Sequence, residues 1–404
     1  MGVFDKATIR DLDAAGKRVL VRVDFNVPLG PDGEVSDDTR IVAALPTIRY
    51  LLEKGAAVVL MSHLGRPKQK DPGASMAPVA RRLSRLLRDE VTLAPDVVGP
   101  EVTRLAEALP RGKVLLLENL RFYPGEEAND AEFAGQLAAL GQAYVNDAFG
   151  TAHRAHASTE GVPARLKPAV AGFLMQKELD ALGSVLGTPA RPFVAVLGGA
   201  KISGKIDVLE NLLPKIDRLL VGGGMMFTFV KARGGAIGKS LLEADRVEMA
   251  KSFLAKAAER GVEVLVAPDC RVADSPKGGA VQVVSADRVP EDKLGVDIGP
   301  EAEKLFRDRV LDAGTVVWNG PMGIFEVPEF ASGTLAMAHA LAEATKRGAK
   351  TVIGGGDSAA AVAAAGVETQ VTHVSTGGGA SLEFLEGRVL PGVAALDRRA
   401  GGGA

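Results

Sequence analysis

The 404 residues carry 48 Lys and Arg against 50 Asp and Glu, a formal charge of −2, so the charge balance gives no reason to expect nucleic-acid or membrane binding. Apolar residues make up 47% and charged residues 24%, the composition of a globular chain long enough for two domains with separate cores. A single cysteine, Cys270, excludes an internal disulfide and fits a reducing compartment, and no apolar run reaches membrane-spanning length.

The opening MGVFDKATIRDLD has no apolar core and does not read as a signal peptide, and Lys6 stands where a myristoylation motif after Gly2 needs Ser or Thr. The expected location is cytoplasmic. From there, short apolar runs alternate with helical patterns. The first half offers Val19–Val23, Ala57–Met61, Val114–Leu117 and Ala143–Val145 as strands. The second offers Phe193–Leu197, Arg218–Val221, Val262–Val266, Val281–Val284, Thr315–Trp318, Lys350–Ile353 and Val371–Val374. Amphipathic stretches such as Thr39–Leu52, Val79–Leu87, Phe133–Leu140 and Leu335–Ala344 lie between them. Such alternation predicts an α/β fold: two doubly wound, Rossmann-like parallel-sheet domains. The run GFLMQKELDALGSVLG reads as one helix, and Thr188-Pro189-Ala190-Arg191-Pro192 cannot continue it. The expected division is therefore 1–171, a hinge helix at 172–187, and 188–387. The tail ends in Gly401-Gly402-Gly403-Ala404 and is expected to fray.

The polar strings stand where the strands stop. In the first half these are Asp24-Phe25-Asn26-Val27-Pro28, Ser62-His63-Leu64-Gly65-Arg66-Pro67, Glu118-Asn119-Leu120-Arg121-Phe122, and Asn146 to His156. Ligands of open α/β sheets bind outside the carboxyl ends of the strands, so the four strings converge. They bring Arg22, Arg40, His63, Arg66, Arg121, His153, Arg154 and His156 to one basic site. Guanidinium forks suit small anions bearing phosphate or carboxylate. Asp24 and Asn26 read equally well as turn residues.

The second half ends its strands on glycines: Gly198-Gly199-Ala200-Lys201, Gly222-Gly223-Gly224, Asn319-Gly320-Pro321, Gly354-Gly355-Gly356-Asp357-Ser358 and Gly377-Gly378-Gly379. Backbone without side chains lets a flat base and a phosphate chain lie close. Gly199, Gly204 and Lys205 nearly match a P-loop, but Ile206 occupies the position of the Mg²⁺-ligating hydroxyl. Either the stretch is a coincidental glycine turn, or it is a phosphate site whose metal ligand lies elsewhere. Asp357 can be that ligand, since Mg²⁺ needs only one or two protein oxygens beside phosphate oxygens. Glu326 can accept from a ribose hydroxyl.

Taken together, VLVRVDFNVP, SHLGRP, ENLRFYPGE, NDAFGTAHRAHAS, LGGAKISGKI, VGGGM, VWNGPMGIFE, GGGDSAAA and VSTGGGASLE resemble the phosphoglycerate kinase family, in the family's order and over nearly the whole chain. The resemblance implies 3-phosphoglycerate or 1,3-bisphosphoglycerate on residues 1–171 and Mg-ADP or Mg-ATP on residues 188–387. It implies a C-terminal segment, 388–404, that returns to the first domain, and a monomer. It assigns Asp24, Asn26, Arg40, His63, Arg66, Arg121 and Arg154 to the phosphoglycerate. It assigns Lys205, Gly295, Asn319, Glu326, Gly355, Gly356, Asp357 and Ser358 to the nucleotide, with Asp357 towards Mg²⁺, and a catalytic place to Gly378. Arg40 and Lys201 are the candidate cations for the phosphoryl group in transfer, after hinge closure. The acceptor is a carboxylate, ionised at neutral pH, so no general base is required. Two other classes compete. A dinucleotide-dependent dehydrogenase needs a G-x-G-x-x-G fingerprint, which opens neither half. A two-lobed, non-catalytic phosphometabolite-binding protein leaves Lys201, Lys205 and Asp357 without a role.

Overall fold

The computed structural model describes residues 5–399, so Gly2 and the glycine tail lie outside the described residues. The chain divides into two compact units, one running to Asp180 and resuming at Val389, the other spanning Ala181–Arg388. The division falls inside the helix Phe173–Leu186, one residue shorter at each end than the pattern predicts.

The first unit holds β1 (Arg18–Arg22), β2 (Ala57–Met61), β3 (Val91–Leu93), β4 (Val114–Leu116), β5 (Ala143–Asn146) and β6 (Ala169–Ala171). They form one parallel sheet in the order β3-β4-β2-β1-β5-β6. Its strands are apolar on both faces because helices cover both, as parallel sheets require. The helix Thr39–Glu53 lays Ile41, Leu45, Ile48 and Leu51 onto Val19, Val21 and Val58, an apolar stripe at helical spacing. The C-terminal residues join this unit. Asp397 accepts from the Ala169 N–H (2.8 Å) and from Lys167 Nζ (2.6 Å), and Lys6 Nζ donates to the carbonyls of Ala394 (2.9 Å) and Leu396 (2.8 Å).

The second unit contains β7 (Phe193–Leu197), β8 (Arg218–Val221), the two-residue β9 (Ala236–Ile237), β10 (Glu263–Val266), β11 (Asp269–Ala273), β12 (Gln282–Ser285), the two-residue β13 (Arg288–Val289), β14 (Leu294–Ile298), β15 (Thr315–Asn319), β16 (Lys350–Gly354) and β17 (His373–Val374). Its main sheet is parallel, in the order β10-β8-β7-β15-β16-β17. The run at Val281–Val284 is not part of it. That segment pairs antiparallel with β11, which pairs antiparallel with β14. Cys270 lies buried in β11, where burial pushes its thiol up to about 12, so it is inert at neutral pH.

Both main sheets reverse their order once, beside β1 in the first and between β7 and β15 in the second. In open α/β sheets these switch points are where ligands sit.

Candidate active site

In the first unit the polar side chains after the strands bind one another's loops and frame the arginines. Ser62 Oγ accepts from the Phe25 N–H (2.8 Å), tying the end of β2 to the end of β1. Asn119, fully buried after β4, donates to the carbonyls of Leu64 (2.7 Å) and Ala74 (2.8 Å) and accepts from the Arg121 N–H (3.1 Å). Asn26 Oδ1 accepts from the Gly65 N–H (2.8 Å), so one end of the Asn26 amide already has a partner. The Asx-turn reading of Asp24 also holds, since its Oδ1 accepts from the Asn26 N–H (3.2 Å).

Within this frame Arg40, in the first turn of its helix, places Nη1 2.9 Å from Asp24 Oδ2. Arg121 is buried, donates to the Gly65 carbonyl (2.6 Å), and has Glu127 3.2 Å from its Nε. Arg66, Arg121 and Arg154 line one cavity of about 520 Å³, with Lys68 and Tyr123 beside them. His63 is buried deeper. Burial first, and then the charges of Arg22, Arg121, Arg40 and Arg154, hold its imidazole well below the usual histidine range. His156 is lowered to about 4 for the same reasons, with Arg22 the leading charge. At neutral pH His63 and His156 therefore act as neutral groups, and the arginines supply the positive field.

The second unit brings backbone close to backbone. Gly198 and Gly199 end β7, and Gly320 and Pro321 follow β15 across the switch point. The Gly199 N–H donates to the Pro321 carbonyl at 2.7 Å. A Cβ at Gly198 would lie 2.1 Å from the Pro321 oxygen, so no other residue fits there. Beside this seam is a cavity of about 540 Å³ whose wall includes Gly223, Gly224, Phe227, Leu241, Met322 and Ile324, with Glu326 and Asp357 also lining it. Gly295 belongs to the same wall.

Lys205 is half-buried, and burial lowers its amine to about 8, the Asp357 carboxylate opposing the shift. Its Nζ donates to Asn319 Oδ1, and Asn319 Nδ2 donates to the Gly354 carbonyl (2.9 Å), so one amide fixes the lysine against the end of β16. Gly355 precedes the helix Gly356–Ala364, whose first N–H groups have no intrahelical partner. Asp357 is exposed in that first turn. Ser358 faces inward: it is fully buried, and its Oγ accepts from the Gly320 N–H (2.6 Å), so its hydroxyl shapes the loop after β15. Gly378, with φ 48°, precedes the helix Gly379–Leu385.

The near-P-loop stretch does not have a P-loop's local structure. Residues Ser203–Lys205 form a 3₁₀ turn before a helix of only seven residues, Ile206–Leu212. The N–H groups of Ile202 (2.6 Å) and Ser203 (3.1 Å) donate to Glu243 Oε2. A carboxylate of the chain itself takes two of the turn's backbone N–H groups. The turn thus presents Lys201, which is exposed, and Lys205, but no anion cradle of backbone N–H groups. Glu243→Ala is expected to lower unfolding stability by about 0.5–2 kcal/mol, as loss of a helix cap does, read as a lower urea midpoint at unchanged slope. An unchanged midpoint would count against the capping role.

Sequence reasoning missed Glu243, Phe227 and Leu241. None lies in a motif, and each reaches the site from the segment between β8 and β10.

The sequence and the fold have counterparts in known proteins. The family model described as phosphoglycerate kinase matches residues 9–388. This chain belongs to the phosphoglycerate kinase family. It is thereby a phosphotransferase. Phosphoglycerate kinase of Chloroherpeton thalassium is 60% identical over 394 residues, covering 97% of this chain and 99% of that protein. That of Nostoc punctiforme is 57% identical over 393 residues, covering 97% and 98%. Among solved structures, phosphoglycerate kinase from Coxiella burnetii superposes with a TM-score of 0.89 at 43% identity, covering 96% of this chain and 98% of that one. The enzyme from Pyrococcus horikoshii gives 0.82 at 35% identity, with the same coverage. Membership sets aside the dehydrogenase and the non-catalytic binding protein. Among the described residues no helix is long and apolar enough to cross a membrane.

Proposed function

We propose that the chain moves a phosphoryl group reversibly between the acyl phosphate of 1,3-bisphosphoglycerate and ADP, giving 3-phosphoglycerate and ATP. One observation carries the reading: each unit has its own cavity beyond the ends of its strands, one lined by three arginines and one walled by glycine and apolar side chains beside Lys205. The arginine cavity takes the phosphoglycerate, with Arg66, Arg121 and Arg154 on its anionic groups, Arg40 towards the reacting end, and His63, Asp24 and Asn26 around it. The second cavity takes the nucleotide, with the base against Gly223, Gly295 and Leu241, Glu326 within reach of the ribose, and the phosphates near Lys205 and Gly355–Ser358.

The donor set also fits a magnesium ion that arrives with the nucleotide. Among the described residues no three His, Cys, Asp or Glu side chains group together, so no all-protein metal cage exists. A single exposed carboxylate at Asp357 suits an ion held mainly by phosphate oxygens and water. There the ion would neutralise phosphate charge. The chain's own part is to align the reactants and to stabilise charge with Arg40 and Lys201, and Gly378 offers backbone free of a side chain. Direct transfer requires both ligands to meet in a site closed to water. Small-angle scattering should therefore show compaction only with both ligands bound, and no compaction would remove closure from the mechanism. We further take the enzyme to be a cytoplasmic monomer, which light scattering at the mass of one chain would support and a dimer mass would overturn.

The direct test couples ATP and 3-phosphoglycerate to NADH loss through the next dehydrogenase. Turnover dependent on both substrates is expected, and its absence with folded protein would sink the reading. Gly295→Val probes the nucleotide cavity. A Cβ at Gly295 would lie 2.0 Å from Phe227 Cζ, so the ring must move into the space assigned to the base. The KM for ATP is expected to rise by about tenfold or more, roughly 1.4 kcal/mol, with the KM for 3-phosphoglycerate unchanged. Equal changes in both would place Gly295 outside the nucleotide site.

A further inference from the structure

Behind the basic cavity lies a buried row of polar side chains with no role in the mechanism so far. Glu126 is 1% exposed, Ser158 0% and Arg22 1%. Glu126 accepts from the Ser158 N–H (Oε2, 3.0 Å) and from Ser158 Oγ (Oε1, 2.6 Å). Ser158 Oγ in turn accepts from Arg22 Nε (2.8 Å). Arg22 Nη1 donates to the Val23 carbonyl, and Nη2 lies 3.2 Å from His63 Nδ1.

The direction of every bond in this row is fixed by chemistry. A guanidinium only donates and cannot be deprotonated in a protein. His63 Nδ1 must therefore accept, and in a neutral imidazole the proton then sits on Nε2. At the other end, the Ser158 hydroxyl has one proton. With Arg22 already donating to its lone pair, that proton goes to Glu126. We propose that Glu126, Ser158 and Arg22 are positioning residues that hold His63 as the neutral Nε2–H tautomer, so that His63 meets its anionic ligand as a hydrogen-bond donor and not as a cation.

Protonating His63 would put an N–H on Nδ1 against the N–H of Arg22, breaking the contact and placing two cations together. The charged groups around the ring do not reverse this. They are Arg22, Arg121, Arg40 and Arg154, with Asp24 paired to Arg40 and Glu127 to Arg121. The lowered basicity of His63 has the same sense. A neutral donor keeps its hydrogen bond to a carboxylate or phosphate across the physiological pH range, whereas an ordinary histidine loses or gains charge within it. The tautomer rests on the contacts alone. Its use as a donor rests on the phosphoglycerate reading proposed above.

Long-range ¹H–¹⁵N NMR on the full, uniformly ¹⁵N-labelled protein tests the tautomer. The His63 signals are identified by their absence in His63→Asn. In the ligand-free wild type they should show the Nε2–H pattern and stay neutral through the ordinary histidine range, protonating only below the usual value near 6.5. An Nδ1–H pattern, or protonation at or above the ordinary value near 6.5, would overturn the inference. Arg22→Met removes the donor and should give mixed tautomers with a titration higher than the wild type's; if that variant does not fold, the wild-type titration decides alone. Ser158→Ala should also admit Nδ1–H, while Ser158→Thr should restore the wild-type pattern. An unchanged pattern in Ser158→Ala would remove Ser158 and Glu126 from the assignment. The same samples in the coupled assay separate the two readings. Turnover with the wrong tautomer overturns this inference only, and the stated tautomer without turnover overturns only the proposed reaction.

Discussion

Arg40→Ala is expected to lower kcat by about 10²–10³-fold, the effect of removing one donor to a transition-state charge, while barely moving the unfolding midpoint. Both halves follow from its placement. The Arg40 side chain is 42% exposed and its ion-pair partner, Asp24, is 17% exposed. A pair open to solvent to that degree contributes roughly 0–1 kcal/mol to stability. Its guanidinium is attached to the first turn of a helix packed on the sheet, so it stands at the strand ends without being needed to hold them. Charge at the moving phosphoryl group peaks in the transition state, so the loss falls on kcat more than on KM. Arg40→Lys keeps the charge but loses the planar fork and should recover only part of the rate. The check is steady-state kinetics with both substrates beside a urea melt. Near-wild-type kcat in Arg40→Ala would move the transition-state role elsewhere, with Lys201 the next candidate.

Arg121 marks the contrast. It is buried, carries the Gly65 carbonyl, and takes its backbone position from Asn119. Arginines of one site thus divide into those that build it and those that it presents. Arg22 belongs to the first group too, since it is buried and spends its donors on Ser158 Oγ, the Val23 carbonyl and His63 Nδ1.

That division was invisible in the sequence, although the site itself was not. Ala57–Met61 and Phe193–Leu197 could be read to the residue because an unbroken apolar run buried on both faces ends abruptly at glycine or a polar string. The edge strands β3 and β6 could not, since three residues with one neighbour leave too short a pattern. Nor could β11 and β14. Asp269 and Asp297 sit inside them as buried carboxylates that cap other elements, Asp269 taking the N–H of Glu301 (3.0 Å) and Ala302 (2.8 Å), and Asp297 that of Gly333 (2.7 Å). A charged residue in a strand reads as a loop until its distant partner is known. The same holds for Glu243, some forty residues from the N–H groups it caps, and for Glu126, which lies in an acidic string with nothing local to mark it as buried. What converged on strand ends was legible, and what depended on long-range pairing was not.

The nucleotide affinity is expected to fall as pH rises above about 8, by up to tenfold per unit, through Lys205. Its amine titrates at about 8 in the free protein because burial disfavours the charged form. A polyphosphate beside it favours the charged form and raises that value towards the ordinary 10.4 or so. Below both values Lys205 is charged with or without ligand, so affinity is flat near pH 7. Between them, binding must take up a proton, and affinity declines as protons become scarce. The nucleotide's terminal phosphate does not obscure this, since its second ionisation lies near pH 6. The free protein shows the opposite trend. A lysine whose folded value lies below its unfolded one carries a penalty in full at low pH, and that penalty is relieved as pH rises from about 8 to about 10.4. Stability from this group therefore climbs over the range in which nucleotide binding weakens. Calorimetric titration of Mg-ADP at pH 7 and pH 9, in two buffers of different ionisation enthalpy, reads both the affinity and the proton uptake. Lys205→Gln should bind more weakly at pH 7 and lose the pH dependence. Equal wild-type affinity at both pH values, without proton uptake, would separate Lys205 from the phosphates and leave its bond to Asn319 as a purely structural contact.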